Sequence, residues 1–151
     1  MVKKVKPIPD GYSTVTPSLI VQGAAKAIEF YKKAFGATEV HECMKMPDGK
    51  VGHAELKIGN SVVMLADEMP EWKATKAKFY LYVDDCDAWF TRATKAGAKS
   101  VMPVSDMFWG DRCGAVDDPW GNTWTVGTHK EDLTPEQIKQ RGEEWMSAAA
   151  K

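Results

Sequence analysis

The sequence has no excess of charge of either sign. Twenty Lys and Arg stand against 21 Asp and Glu, a formal net charge of −1. The electrostatic footprint of a nucleic-acid or anionic-membrane binder is therefore missing. No apolar run approaches the roughly 20 residues that span a bilayer. Lys3, Lys4 and Lys6 open the chain, but no apolar stretch follows them, so the start does not read as a signal peptide and a cytoplasmic location is expected. Cysteine is scarce. Cys43, Cys86 and Cys113 are odd in number and lack metal-type spacing, which points to reduced thiols rather than a disulfide framework or a zinc site.

What is present is an ordinary globular balance, 44% hydrophobic and 27% charged over 151 residues, enough chain to bury a core unaided. Residues 1–13 read as a loose arm, broken by Pro7, Pro9 and Gly11. A β-type run follows at Ser18–Val21. Ala24, Ala27, Ile28, Tyr31 and Phe35 then recur at helical spacing, and Gly36 sits where a C-cap glycine belongs. Strand-like segments cover Glu39–Met46, Gly52–Ile58 and Ser61–Ala66. Pro47-Asp48-Gly49 and Gly59-Asn60 mark the turns between them.

The same order then recurs. Phe79–Val83 is β-type. Asp85–Ala96 is helical, with Asp85 or Asp87 as N-cap and Gly97 as its stop. Ser100–Val104, Gly114–Asp117 and Thr123–Val126 read as strands. At a shift of 62, Ser18–Val21 falls on Tyr80–Val83, Gly52 on Gly114 and Gly59-Asn60 on Gly121-Asn122. Self-similarity outranks local propensity. The fold class expected is α+β: two tandem βαβββ modules, residues 14–68 and 76–128, forming one domain with a curved mixed sheet around a cavity. A C-terminal helix, residues 134–150, is added to it. Thr134-Pro135-Glu136-Gln137 is a capping box with Pro at the first helical position. Ile138, Trp145 and Met146 are too few for a core helix, so this segment reads as a surface appendage or a dimer contact.

Strand alternation names the cavity lining. Ala54, Leu56 and Ile58 share one face; His53, Glu55 and Lys57 share the other. Helices need the apolar face, so His53 and Glu55 point to the cavity. Phe79, Leu81 and Val83 lie under the second helix, which turns Lys78, Tyr80 and Tyr82 inward. The repeat adds Thr16, Ser18 and Ile20, pairs Asp117 with Glu55, and adds Thr125.

The repeated modules, the stretch from Ala27-Ile28-Glu29-Phe30-Tyr31 to Gly36-Ala37, and Asp118-Pro119-Trp120-Gly121-Asn122 before the last strand resemble the vicinal oxygen chelate superfamily. That group includes glyoxalase I, bleomycin resistance proteins and extradiol dioxygenases. Trp109-Gly110-Asp111-Arg112 and the run from Thr128-His129-Lys130 to Leu133-Thr134 resemble its PhnB-like branch more narrowly. The resemblance implies the fold, a homodimer, a small-molecule ligand or substrate and, in catalytic members, a divalent metal on the first and last strands of each module. Those positions carry Thr16, Lys78, Val63 or Met64, and Thr125. None is a usual strong ligand, and a lysine repels a cation.

His53 and Glu55 are the candidate catalytic pair, two apart on one strand, as base, anchor or half of another metal site with Asp117 as third ligand. A solvated polar face is the alternative. Thr16, Ser18, Lys78, Tyr80, Tyr82, Arg112, Asp117 and Thr125 are the candidate ligand-binding residues. Arg112 either forks onto an anionic ligand or pairs locally. Cys113 lacks an adjacent base, Trp124 reads as core, and His41 and His129 read as isolated surface residues. The expected function is binding of a small polar or aromatic molecule in the cavity between the modules, without the usual metal set or another cofactor, and without nucleic-acid or membrane partners. The alternative is a lyase, isomerase or dioxygenase that uses a divalent metal or His/Glu acid–base chemistry.

Overall fold

The computed structural model describes residues 2–151. The chain divides into two compact units, one ending at Lys76 and one running Ala77–Lys151. In the first, the order is β1 (Ser18–Val21), α1 (Ala24–Phe35), β2 (Thr38–Glu39), β3 (Met44–Lys45), β4 (Val51–Ile58) and β5 (Ser61–Asp67). The sheet order is β1-β5-β4-β2, with β3 also on β4. β1 runs parallel to β5 and β4 antiparallel to it, so the sheet is mixed.

The core of this unit follows from the helical spacing of apolar residues. α1 buries Ala24, Ala27, Ile28, Phe30, Tyr31, Ala34 and Phe35, a stripe that meets Leu19, Val21, Ala54, Leu56 and Leu65, all buried, in the sheet beneath. Gly36 ends the helix at φ 64°, a left-handed turn that a Cβ would strain. At the other end no local side chain caps α1. The Asp67 carboxylate, at the far end of β5, accepts from the Gly23 and Ala24 amides at 2.8 and 2.9 Å, and from Val51 N–H at 2.8 Å. One buried acid thus ties helix start, β4 and β5 together, where the positive end of the helix dipole favours it.

The strand expected over residues 39–46 is interrupted. β2 and β3 are two residues each, and the register slips between Met44 and Lys45. Val40 N–H bonds Glu55 O at 2.9 Å. The irregular stretch between the two short strands carries His41.

The second unit contains β6 (Lys78–Tyr82), α2 (Cys86–Ala96), β7 (Lys99–Asp106), β8 (Asp111–Asp117), β9 (Thr123–His129) and α3 (Pro135–Ala149). Its sheet order is β6-β9-β8-β7, parallel only between β6 and β9. Asp85 caps α2, accepting from Ala88 N–H at 3.1 Å, and Thr128 Oγ1 accepts from Cys86 N–H at 2.9 Å. Trp124 is fully buried and stacks on Phe79 at 4.5 Å between centroids.

The two hairpins differ, and this changes one expected equivalence. β4 and β5 close on Ile58↔Ser61 across the two-residue turn Gly59-Asn60. β8 and β9 close on Asp117↔Thr123 across a longer loop, residues 118–122. In that loop Asp118 accepts from the Trp120 and Asn122 amides and from Trp124 Nε1, each at 2.9 Å. Glu55 therefore lies well inside its hairpin, opposite Met64, whereas Asp117 is at the mouth of its own. The matched Gly-Asn pairs end turns of different length, so Asp117 is not the counterpart of Glu55.

α3 begins with the expected capping box, Thr134 and Gln137 bonding each other's amides. It has more packing than its few apolar residues suggest. Gly142 is buried, and a Cβ there would sit 3.2 Å from the Phe108 ring; Trp145 adds a second contact to that ring at 5.7 Å. Among the described residues no helix is long and apolar enough to cross a membrane.

Candidate functional site

Two polar groups stand on the faces that strand alternation turns away from the helices, one in each unit. The first centres on Glu55. Its neighbours Ala54 and Leu56 point under α1 and are fully buried, so the intervening side chain must point the other way. Cross-strand pairing puts Glu55, Met64 and Ser18 in one row over β4, β5 and β1. Glu55 is only 8% exposed. The Tyr12 hydroxyl donates to its Oε2. His53 Nε2 lies 3.0 Å from Oε1 and His41 Nε2 3.3 Å from Oε2.

The Tyr12 bond, then the His53 ring, hold the Glu55 carboxyl below the usual range, outweighing the opposite pull of burial. The Tyr12 phenol is pushed up by the same bond. Glu55 is therefore an ionised acceptor near neutral pH and a weak base. It opens on a hollow of about 510 Å³ lined by Pro7, Ile8, Pro9, Tyr12, Ser13, Thr14, Thr16, His41 and Met64. The arm thus supplies much of the wall. Thr16, expected in the lining, is there, with its hydroxyl donating to Ser13 O at 3.1 Å. Ser18 is exposed in the Glu55 row.

The second group centres on Asp111. Register places Lys78, Thr123 and Asp117 in one cross-strand row, Tyr80, Thr125 and Ala115 in the next, and Tyr82, Gly127 and Cys113 in a third. His129 pairs with Asp111 at the end. The expected residues Lys78, Tyr80, Tyr82, Asp117 and Thr125 therefore share one face. Asp117 accepts from Thr123 Oγ1 at 2.6 Å. Asp111, 2% exposed, accepts from Tyr80 and Tyr82 hydroxyls at 2.7 and 3.0 Å and from Trp109 Nε1 at 3.1 Å, all on Oδ2. His129 Nδ1 is 2.9 Å from Oδ1.

Burial raises the Asp111 carboxyl, but His129 and the three other side chains more than offset it and hold it below the usual range. Burial first, then the Asp111 bond, push Tyr80 well up. Cys113 is pushed up by burial, which leaves a thiol rather than a thiolate nucleophile. Tyr80 also packs closely over Gly127: a Cβ there would meet its hydroxyl at 2.5 Å, so glycine is what lets the ring reach Asp111.

Arg112, expected either to fork onto an anionic ligand or to pair locally, is on the opposite face. It pairs in register with Thr128, which faces the start of α2. Its fork is engaged by Asp87 of α2 at 2.8 and 2.9 Å and by Asp106 at 3.3 Å. Alternation from the buried Cys113 requires this, and the bidentate pair clamps helix to strand rather than waiting for an anion. His41 and His129, read as isolated, each approach a buried carboxylate. Tyr12 was missed because the arm offers no periodicity to place it.

The positions at which the superfamily resemblance implies a metal do not suit one. In the first unit they are the Thr16 hydroxyl and the Met64 thioether, Val63 pairing instead with fully buried Leu56. In the second they are the Lys78 ammonium and the Thr125 hydroxyl. A divalent cation wants carboxylate or imidazole at such points. Among the described residues, no group of three or more His, Cys, Asp or Glu is placed to hold a metal ion.

Two βαβββ units in tandem, each with one parallel strand pair in a mixed sheet, define a glyoxalase-type fold. Residues 13–126 match the glyoxalase/bleomycin resistance protein/dioxygenase superfamily, and the chain belongs to it. An uncharacterised protein of Mycobacterium bovis is 39% identical over 136 residues, 83% of this chain and 89% of the relative. The crystal structure of TioX from Micromonospora sp. ML1 is similar at a TM-score of 0.66 and 27% identity, covering 78% of this chain and 98% of TioX. The PhnB protein of Bacillus cereus shares the fold at a TM-score of 0.63 and 18% identity, over 77% and 99% of the two chains.

Proposed function

We propose that this protein binds a small organic molecule in the hollow of its first unit, with the Glu55 carboxylate as the polar anchor and no metal in the contact. One observation carries the reading: a buried, ionised carboxylate opens on a hollow of about 510 Å³ whose wall is otherwise apolar side chains, hydroxyls and one imidazole. Apolar walls with a few convergent polar groups are what small-molecule sites share. The size is within the range such sites occupy. Membership of the superfamily supports a small-molecule role, and the donor chemistry of Thr16, Met64, Lys78 and Thr125 supports the metal-free part. The homodimer implied by the resemblance belongs to the same proposal, and sedimentation equilibrium tests it.

The binding experiment is a fragment screen by ligand-observed NMR on the protein and on Thr16→Trp, whose indole intrudes on the hollow. Hits that bind the protein and are lost in Thr16→Trp are expected. Hits that bind both equally well contradict the assignment. Equilibrium dialysis with Ni, Zn, Mn and Fe tests the metal-free part. A stoichiometric ion that disappears in His53→Ala or Glu55→Ala refutes it.

A second reading, acid–base catalysis, draws on the 3.0 Å approach of His53 Nε2 to Glu55. A carboxylate that orients an imidazole is the arrangement general bases use. In this reading His53 moves the proton and Glu55, the weaker base, positions it. Turnover of a bound hit that is abolished by His53→Ala, with binding intact, selects this reading over simple binding.

A further inference from the structure

We infer that the molecule taken by the Glu55 hollow is a small organic cation, an amine on an apolar body. This rests on the reading of the hollow as a binding site and adds the charge of its ligand. Among the described residues that line the hollow, Glu55 is the only carboxylate, and there is no lysine or arginine. Its nearest partners are a phenol and two imidazoles, not a permanent cation. A cationic ligand adds a charge–charge attraction that these partners do not permanently supply.

The carboxylate has room for such a partner. It offers about four acceptor positions, and three side chains, Tyr12, His41 and His53, approach it. An ammonium or amidinium N–H in the remaining position makes a charge-assisted bond, roughly twice as strong as a neutral one. Pro7, Ile8, Pro9 and Met64 offer the body of the molecule an apolar wall. Beside that wall the carboxylate sets a negative potential. An anion of the same shape meets the same field with the wrong sign.

The test compares three probes of one shape and different charge: benzylamine, benzyl alcohol and benzoate. Each is titrated into ¹⁵N-labelled protein and into Glu55→Gln at about pH 8, above the ordinary histidine range. Binding is read from the amides of Tyr12, His41 and Glu55. Benzylamine is expected to bind roughly tenfold more tightly than benzyl alcohol, one charge-assisted bond's worth, with benzoate weakest. Glu55→Gln is expected to bring benzylamine to the affinity of the alcohol. The ranking on the unaltered protein stands whether or not the variant folds. Benzoate or benzyl alcohol binding as well as benzylamine overturns the inference and leaves the hollow as a site. A preference for benzylamine that survives Glu55→Gln in a folded variant also overturns it. Failure of all three probes to move these amides overturns both the inference and the binding reading beneath it.

Discussion

Replacing Asp111 tests whether the second polar group is a structural tie. Asp111 is 2% exposed and accepts from Tyr80, Tyr82 and Trp109, with His129 at its other oxygen. In Asp111→Ala all four lose their acceptor. Tyr82 is 67% exposed and the His129 side chain 51%, so water replaces the acid for those two at little cost. Trp109 is half-buried and Tyr80, though 40% exposed, has its hydroxyl turned onto the buried acid, and a bond to a charged acceptor contributes about 1.5–3 kcal/mol. Two such bonds, less the desolvation regained when a carboxylate leaves the interior, give a net loss of about 2–4 kcal/mol. At roughly 2–4 °C per kcal/mol for a chain of this length, Tm falls by about 4–16 °C. Asp111→Asn retains one carbonyl oxygen for the Tyr80, Tyr82 and Trp109 donors and loses only charge assistance, about 1–2 kcal/mol. Urea and thermal unfolding followed by tryptophan fluorescence measure both. The folded-state carboxyl lies below its unfolded value, so the stabilisation is present above about pH 3.9 and lost as pH falls through the depressed value. A cost for Asp111→Ala within 0.5 kcal/mol of zero, about what a surface change produces, refutes the argument.

Three further outcomes follow from the geometry. Gly127→Ala drives a methyl into the Tyr80 hydroxyl and is expected to cost about 1–3 kcal/mol, with a changed near-UV tyrosine signal. Asp67→Ala leaves three backbone N–H groups without their shared acceptor and is expected to cost about 2–4 kcal/mol in urea unfolding. Burial raises the Asp67 carboxyl, but the Ala24, Val51 and Gly23 amides outweigh it, so this contribution too is lost in acid. His129, raised by Asp111 and then Asp132, titrates above the ordinary histidine value by NMR. Its stabilising effect is full below about pH 6.5 and is lost as pH rises through the raised value; Asp132→Asn lowers that value.

The paired units were legible in the sequence because two independent signals agreed. The shift of 62 aligned turn glycines, and the helical stripe of α1 stood between short β-type runs. Capping chemistry is local, so Asp85 and Thr134 were readable as helix starts. Alternation was enough to set Glu55 against Leu56 and Tyr80 against Phe79. What it missed lay at strand ends. Reading β8 only from Gly114 and β9 only to Val126 left Asp111, Arg112 and His129 in loops. Alternation carried back from Cys113 would have separated Arg112 from Asp111. His41 stands in the irregular stretch between β2 and β3, and Tyr12 reaches Glu55 across 43 residues; neither contact has a local signature. Asp117 was misplaced because matching Gly-Asn pairs concealed turns of two lengths.

The most direct test of the account is a crystal structure of the protein with a fragment that binds in solution. The fragment is expected in the hollow walled by Pro7, Ile8, Pro9 and Met64, with a donor within hydrogen-bonding distance of the Glu55 carboxylate. A fragment seated elsewhere, or in the hollow with no contact to Glu55, contradicts it.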